Sequence, residues 1–69
     1  MYLVHYTDES GSHRTAKPHN MQALEQSLVS LYNRRIEAQA VTRYTGRTVG
    51  AVYRQDGTWN WFCETGETN

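Results

Sequence analysis

Hydrophobic residues recur at steps of three and four in one segment of the chain, residues 21 to 35. The apolar positions of this segment are Met21, Leu24, Leu28, Leu31 and Tyr32. Such spacing is typical of an amphipathic helix of about four turns that packs one stripe against a sheet. Asn20 precedes the first apolar position, and its side-chain oxygen can accept a hydrogen bond from a backbone N–H in the first turn. The sequence therefore predicts a helix over residues 21 to 35.

The segment before this helix reads as a β-hairpin. MYLVHYT is rich in β-branched and aromatic residues, DESGS places Gly11 in a turn, and SHRTAK can return as a second strand. We expect strands at residues 2 to 7 and 12 to 16.

Three alternating segments follow the helix and are separated by two short turns. The segments are IEAQAVTRY, RTVGAVYRQ and TWNWFCET, and the turns are Thr45-Gly46 and Asp56-Gly57. Asp-Gly between two alternating segments is a strong hairpin signal, because both turn residues adopt positive φ. The chain is therefore predicted to be a single α+β domain, residues 1 to 69. Its order is ββαβββ: a hairpin, one amphipathic helix packed on one face of the sheet, and a three-strand antiparallel meander.

Two-residue turns at both positions would also fix the register of the meander. This register places Ala40 opposite Ala51, Arg54 opposite Trp59 and Val52 opposite Trp61. Side chains alternate across a strand, so the meander sorts into two faces. One face would hold Ile36, Ala38, Ala40, Thr42, Val49, Ala51, Tyr53, Asn60 and Phe62. The other would hold Glu37, Gln39, Val41, Arg43, Thr48, Gly50, Val52, Arg54, Trp59, Trp61 and Cys63.

The first of these faces is the expected core, because its small alanines would let the leucine stripe of the helix approach closely. A slip of one residue in the register would reverse this assignment. If it holds, the second face is left without a covering helix.

Composition limits the classes of function. A chain of 69 residues builds one modest core. It contains no apolar run long enough to span a membrane, and its N-terminus lacks the features of a signal peptide, so we expect a cytoplasmic location and no membrane partner. Cys63 is the only cysteine, which excludes an internal disulfide and a cysteine-based zinc site.

The net charge is zero, but the charges are unevenly distributed. Residues 34 to 54 contain five arginines and one acidic residue, whereas residues 55 to 69 contain three acidic residues and no cation. Six of the seven cationic side chains are arginine, which suits planar, stacked or bidentate contacts. The simpler explanation for the arginines between residues 34 and 54 is that they lie on solvent-exposed strand faces and form cross-strand ion pairs.

Residues of catalytic type are present without a catalytic pattern. The three histidines lack the spacing of helical metal ligands and have no acidic cluster beside them; they are His5, His13 and His19. Asp8, Ser10 and His13 match a triad by residue type alone, within a turn. Cys63 has no evident base, and no glycine-rich phosphate loop is present. We therefore expect a non-enzyme without metal or cofactor.

The second face of the meander is the predicted binding surface. Its candidate partner-binding residues are Trp59, Trp61, Arg43, Arg54, Val41 and Val52. Tryptophan and arginine are enriched in binding hot spots, so the leading hypothesis is a protein-protein interaction module. The simpler structural explanation is that the tryptophans pack against another part of the chain.

Two other functions use the same features. Aromatic rings beside arginines can stack bases and hold phosphates, so single-stranded nucleic-acid binding is the first alternative. Neutral total charge and a single lysine weaken that hypothesis. A homodimer formed through this face, or through a free strand edge, is the second alternative.

No motif in the sequence identifies a family. The predicted architecture, one helix with a short antiparallel sheet in fewer than 80 residues, resembles small accessory proteins of phages and mobile elements, including anti-CRISPR inhibitors. That resemblance implies an inhibitor that occludes a surface of a larger host complex. It implies no particular site residue.

Overall fold

The computed structural model describes residues 1 to 64, which form five strands and one helix. In chain order the elements are β1 (Tyr2–Thr7), β2 (His13–Ala16), α1 (Met21–Asn33), β3 (Ala38–Thr42), β4 (Thr48–Gln55) and β5 (Thr58–Cys63).

The strands form one sheet in the order β2-β1-β3-β4-β5, and all neighbouring strands are antiparallel. Helix α1 packs on one face of this sheet and contacts β5 and β4 most extensively. The predicted ββαβββ fold, with its hairpin, single helix and three-strand meander, is therefore confirmed. Within residues 1 to 64, no helix is both long enough and apolar enough to cross a membrane.

The ends of α1 follow from local hydrogen bonds. Asn20 caps the helix as predicted, since its Oδ1 accepts a hydrogen bond of 2.8 Å from the backbone N–H of Ala23. The helix ends at Asn33, two residues before the predicted end, because Arg35 adopts a left-handed φ of 59°. The N–H of Ile36 then donates to the carbonyl of Leu31 over 3.0 Å, which is the six-to-one bond of a Schellman motif.

The core lies between α1 and the helix-facing side of the sheet. Its buried members are Val4, Leu24, Leu28, Leu31, Ile36, Ala38, Ala40, Val49 and Val52. Gly50 permits a close approach of helix and sheet: a Cβ atom there would lie 2.6 Å from Leu28 Cδ1 and 2.9 Å from the Phe62 carbonyl oxygen. A side chain larger than hydrogen at position 50 would push the helix away.

The predicted register is correct for β4 and β5 but wrong for β3 and β4, by one residue from Ala38 to Ala40 and by two residues at Val41. Arg54 lies opposite Trp59 and Val52 opposite Trp61, as expected from the Asp56-Gly57 turn, whose residues have φ of 56° and 79°. Ala40, however, lies opposite Gly50 rather than Ala51.

Two features cause this shift. The connection between β3 and β4 is longer than a two-residue turn, because the N–H of Gly46 donates to the Thr42 carbonyl and the N–H of Thr42 donates to the Arg47 carbonyl, each over 2.9 Å. This longer connection moves the register by two residues, which leaves the predicted faces unchanged. The register also changes between Ala40 and Val41, which leaves Val49 as an extra residue of β4. This β-bulge brings Val49 into the core.

Because the bulge changes the register by a single residue, it reverses the predicted faces of β5 and of β4 after Val49. Val52, Trp59 and Trp61 lie on the helix side, where Val52 is 1% exposed and both tryptophans pack against the core. Phe62 and Tyr53, which were predicted to lie in the core, are exposed on the opposite side. Ile36, Ala38, Ala40 and Val49 are buried as predicted.

Candidate functional site

The six predicted partner-binding residues do not form one surface. Val52 is almost completely buried, so it has no area to offer a partner. Trp59 and Trp61 are half-buried beside the core. The Arg54 guanidinium lies 5.7 Å from the ring centroid of Trp59, which makes a cation–π pair on the helix side of the sheet.

The remaining two predicted residues lie elsewhere. Val41 is on the side of the sheet away from α1, opposite Leu3 and Thr48. Arg43 is in the β3–β4 connection, where its backbone N–H donates to the Met1 carbonyl over 3.2 Å and its Nη1 lies 3.0 Å from the Met1 sulfur. The structure therefore brings Arg54 together with Trp59 and separates both of them from Val41 and Arg43.

The side of the sheet away from α1 is not covered by any other part of residues 1 to 64, and we call it the open face. The strand registers place fourteen side chains on it: Leu3, His5, Thr7, His13, Thr15, Gln39, Val41, Thr48, Ala51, Tyr53, Gln55, Thr58, Asn60 and Phe62. None of these described residues is an aspartate, glutamate, lysine or arginine. The strand residues Arg14 and Arg54 are on the helix side of the sheet.

The apolar part of the open face centres on two exposed aromatic rings. Phe62 is 43% exposed and Tyr53 is 37% exposed. Their ring centroids are 6.3 Å apart with an interplanar angle of 68°, an edge-to-face arrangement. Ala51 lies between Phe62 and Gln39 in one cross-strand row, and Val41 pairs with Leu3 on the same face.

The polar part of the open face consists of cross-strand hydrogen bonds. His5 Nδ1 lies 3.2 Å from Thr15 Oγ1, and His13 Nδ1 lies 3.1 Å from Thr7 Oγ1. Gln39 Nε2 donates to Thr48 Oγ1 over 2.9 Å. These polar groups already bond to one another, so they keep their hydrogen bonds when a partner covers them. Burying this part of the face therefore costs less free energy than burying unpaired polar groups would.

Asp8, Ser10 and His13, which match a catalytic triad by residue type, are not arranged as a triad; Asp8 and Ser10 form a turn instead. The Ser10 hydroxyl donates to Asp8 Oδ1 over 2.7 Å, and Arg14 Nε donates to Asp8 Oδ2 over 2.9 Å. The hydrogen bond from the Ser10 side chain, then that from Arg14 and that from the Ser12 backbone, hold the pKa of Asp8 far below its ordinary value. His13 bonds to Thr7, so its ring is directed to β1.

Cys63 is a packed thiol. Its sulfur lies 3.6 Å from the sulfur of Met21 at the start of α1. Burial, together with the negative charges of Glu25 and Glu64, raises the pKa of Cys63. A raised pKa lowers the thiolate fraction and with it the reactivity of the thiol. No cluster of three or more potential metal ligands occurs within residues 1 to 64.

A groove of about 720 Å³ at the end of the sheet contains several charged side chains. Its arginines are each engaged by another group. Arg34 makes a bidentate contact with Glu9, with hydrogen bonds of 2.7 and 3.2 Å, Arg35 lies 5.1 Å from the ring centroid of Tyr32, and Arg54 lies over Trp59. Cations engaged in this way do not converge on a common anion position.

The open-face residues Tyr53 and Phe62 were missed by the sequence analysis, which placed them in the core. One sequence signal could have identified them: every second position of β4 and β5 on this side lacks a formal charge, from Ala51 to Phe62. Solvent-facing positions of antiparallel sheets are usually polar, with charged residues among them.

Comparisons with known proteins add no assignment to this geometry. No protein-family model, curated protein or solved structure matches the chain at a significant level.

Proposed function

We propose that this chain is a non-catalytic protein-interaction module that binds a protein partner through its open face. The observation that carries the proposal is the composition of that face within residues 1 to 64: fourteen side chains without a formal charge, with Tyr53 and Phe62 exposed. Depletion of charge and enrichment of aromatic residues characterise the buried centres of protein interfaces.

The surface chemistry defines the kind of partner. A face with leucine, valine and aromatic side chains can bury apolar area against another protein surface, and its threonines and amides can bond to polar groups at the rim. A surface of this composition suits coverage of a surface on a larger complex. The proposed mode of action is therefore occlusion, as in small inhibitors of the anti-CRISPR kind.

Nucleic-acid binding is less well supported by the same geometry. A surface that binds single-stranded nucleic acid needs exposed aromatic rings, on which bases stack, beside cations that hold phosphates. Among the residues that the structure describes, no lysine or arginine lies on the open face with the exposed rings of Tyr53 and Phe62. The ring that does pair with an arginine, Trp59, is half-buried on the other side of the sheet.

The test is an affinity capture from a lysate of the organism that encodes the chain, with and without nuclease. Wild type is compared with Phe62→Lys and Tyr53→Lys, which place a charge on the open face. The matched control is Tyr44→Ser, because Tyr44 is an aromatic residue that is 82% exposed in the β3–β4 connection, outside this face. Circular dichroism and thermal unfolding establish that all variants are folded.

We expect wild type and Tyr44→Ser to capture the same protein in the presence of nuclease, and both lysine variants to lose it by at least about tenfold in affinity. Equal capture by the lysine variants would show that the open face is not used. Loss of capture on nuclease treatment, or capture of no specific protein, would also contradict the proposal.

A further inference from the structure

The fold brings two of the histidines together and leaves the third apart. His5 is in β1 and His13 is in β2, both on the open face, whereas His19 lies in the connection between β2 and α1. In the register of the hairpin, His5 is opposite Thr15 and His13 is opposite Thr7. His5 and His13 are therefore diagonal neighbours on the same face of two adjacent strands.

Two imidazoles in diagonal positions can reach a common ligand. Diagonal neighbours of an antiparallel pair have Cα atoms about 7 to 8 Å apart and Cβ atoms somewhat closer, a distance that aromatic and long side chains can span. His5 and His13 are both exposed, and both line the groove of about 720 Å³ at the end of the sheet. A hydrated ion can therefore approach both rings from solvent.

The hydrogen bonds of the two rings use the same ring nitrogen. His5 Nδ1 lies 3.2 Å from Thr15 Oγ1, and His13 Nδ1 lies 3.1 Å from Thr7 Oγ1. Within residues 1 to 64, neither Nε2 atom takes part in a hydrogen bond. When Nδ1–H donates to the threonine hydroxyl, Nε2 carries the lone pair with which a neutral imidazole binds a metal ion.

The two threonines correspond to the usual surroundings of a metal-binding histidine. Such a histidine donates its other ring N–H to a polar neighbour, which fixes the tautomer and the orientation of the ring. Thr15 is placed to accept this bond from His5, and Thr7 is placed to accept it from His13. The cross-strand hydrogen bonds therefore favour the tautomer that exposes Nε2 on both rings.

The charges around the two histidines do not oppose the binding of a cation. Within residues 1 to 64, the open face carries no lysine or arginine. Asp8 and Glu9 follow β1 directly, and their carboxylates balance the guanidinium groups of Arg14 and Arg34.

We propose that His5 and His13 together bind a divalent late transition metal ion, Zn²⁺ or Ni²⁺, through their Nε2 atoms, with water completing the coordination. Imidazole suits these ions, whereas Mg²⁺ prefers oxygen ligands. The ion links β1 to β2 and so stabilises the folded hairpin. The site lies on the other side of β3 from Tyr53 and Phe62 and does not depend on what those rings bind.

The test is isothermal titration calorimetry with ZnCl2, NiCl2 or MgCl2 at about pH 7.5, where most imidazole groups are neutral. Wild type is compared with His5→Gln and His13→Gln. The matched control is His19→Gln, which removes an exposed histidine outside the strand pair. Cys63→Ser is a second control, because a thiolate is also a zinc ligand. Circular dichroism establishes that every variant is folded.

We expect wild type and both control variants to bind one Zn²⁺ or Ni²⁺ ion per chain and to give no heat of binding with Mg²⁺. His5→Gln and His13→Gln should each raise the dissociation constant for Zn²⁺ and Ni²⁺ at least about tenfold, because one of the two imidazoles is lost. Zn²⁺ should also raise the midpoint of thermal unfolding of wild type more than that of either variant.

Thr15 separates metal binding through Nε2 from binding through Nδ1. Thr15→Val removes the hydroxyl and keeps the β-branched shape, whereas Thr15→Ser keeps the hydroxyl. We expect Thr15→Val to weaken binding about tenfold, as loss of a neighbour that orients a ligand does, and Thr15→Ser to bind as wild type. Unchanged binding by Thr15→Val would overturn the assignment of Nε2 as the metal-binding atom of His5.

Two results would overturn the site itself. A wild-type protein that binds neither Zn²⁺ nor Ni²⁺ has no such site. Binding that survives both His5→Gln and His13→Gln, or that is lost in His19→Gln or Cys63→Ser, takes place at other residues.

Discussion

At the residue scale, Asp8 organises the turn between β1 and β2. Its carboxylate accepts hydrogen bonds from the Ser10 hydroxyl, the backbone N–H groups of Ser10 and Ser12, and Arg14 Nε, at 2.7 to 3.0 Å. Gly11 completes the turn with a φ of 88°. An ionised carboxylate that accepts several hydrogen bonds is much more stable than its protonated form, and this lowers its pKa.

This arrangement predicts a stability that falls in acid. Because the folded-state pKa of Asp8 lies below its unfolded value near 4, the stabilising contribution is complete above about pH 4 to 5 and is lost as the pH falls through the folded-state pKa. We expect Asp8→Asn to lower the urea midpoint at pH 7. We also expect the difference from wild type to shrink at about pH 2.5.

Glu9→Gln is the control for this prediction. Glu9 lies beside Asp8 and pairs with Arg34, but both side chains are well exposed, at 63% and 44%. Ion pairs of this kind contribute little to stability, so Glu9→Gln is expected to change the urea midpoint less than Asp8→Asn does. A difference between Asp8→Asn and wild type that is the same at both pH values would contradict the assigned role of the carboxylate.

At the element scale, the helix and strands could be predicted from the sequence, but the side chains of β4 and β5 that pack against the helix could not. The Asn20 cap, the leucine stripe of α1 and the Asp56-Gly57 turn are local signals, and each is present as predicted. The face assignment depended on the connection after Thr42, where Thr45-Gly46 resembles a two-residue turn. The actual connection is longer, but it moves the register by two residues and so keeps the predicted faces. The bulge at Val49 changes the register by one residue, and this exchanged the faces of β5 and of β4 beyond the bulge.

The corrected faces predict opposite roles for neighbouring aromatic residues of β5. Trp59 and Trp61 pack against the core, and Phe62 lies on the open face. We expect Trp59→Ala and Trp61→Ala each to reduce the free energy of unfolding by about 2 kcal/mol, less than for a fully buried tryptophan. We expect Phe62→Ala to reduce the free energy of unfolding by less than about 1 kcal/mol.

Urea denaturation of the three alanine variants measures these differences, with circular dichroism as the signal because tryptophan fluorescence is altered by two of the changes. If Phe62→Ala proved more destabilising than both tryptophan changes, the original face assignment would be right and the open face would be the core. The same result would remove the basis of the proposed binding surface.

At the scale of the whole molecule, the two sides of the sheet have different roles. Helix α1 covers one side, where Val52 is 1% exposed, and the other side is the open face, which no part of residues 1 to 64 covers. The core and the proposed binding surface therefore use alternate side chains of the same strands.

This division predicts that one added charge has different consequences on the two sides of the sheet. Phe62→Lys places an ammonium group on the open face, where the side chain is 43% exposed, so we expect a folded protein with weaker partner binding. Val52→Lys places the same group in the core, where an unpaired charge is strongly destabilising, so we expect the cooperative thermal transition to be lost. Circular dichroism during thermal unfolding compares both variants with wild type. A Phe62→Lys variant that is as unfolded as Val52→Lys would show that the open face is part of the core.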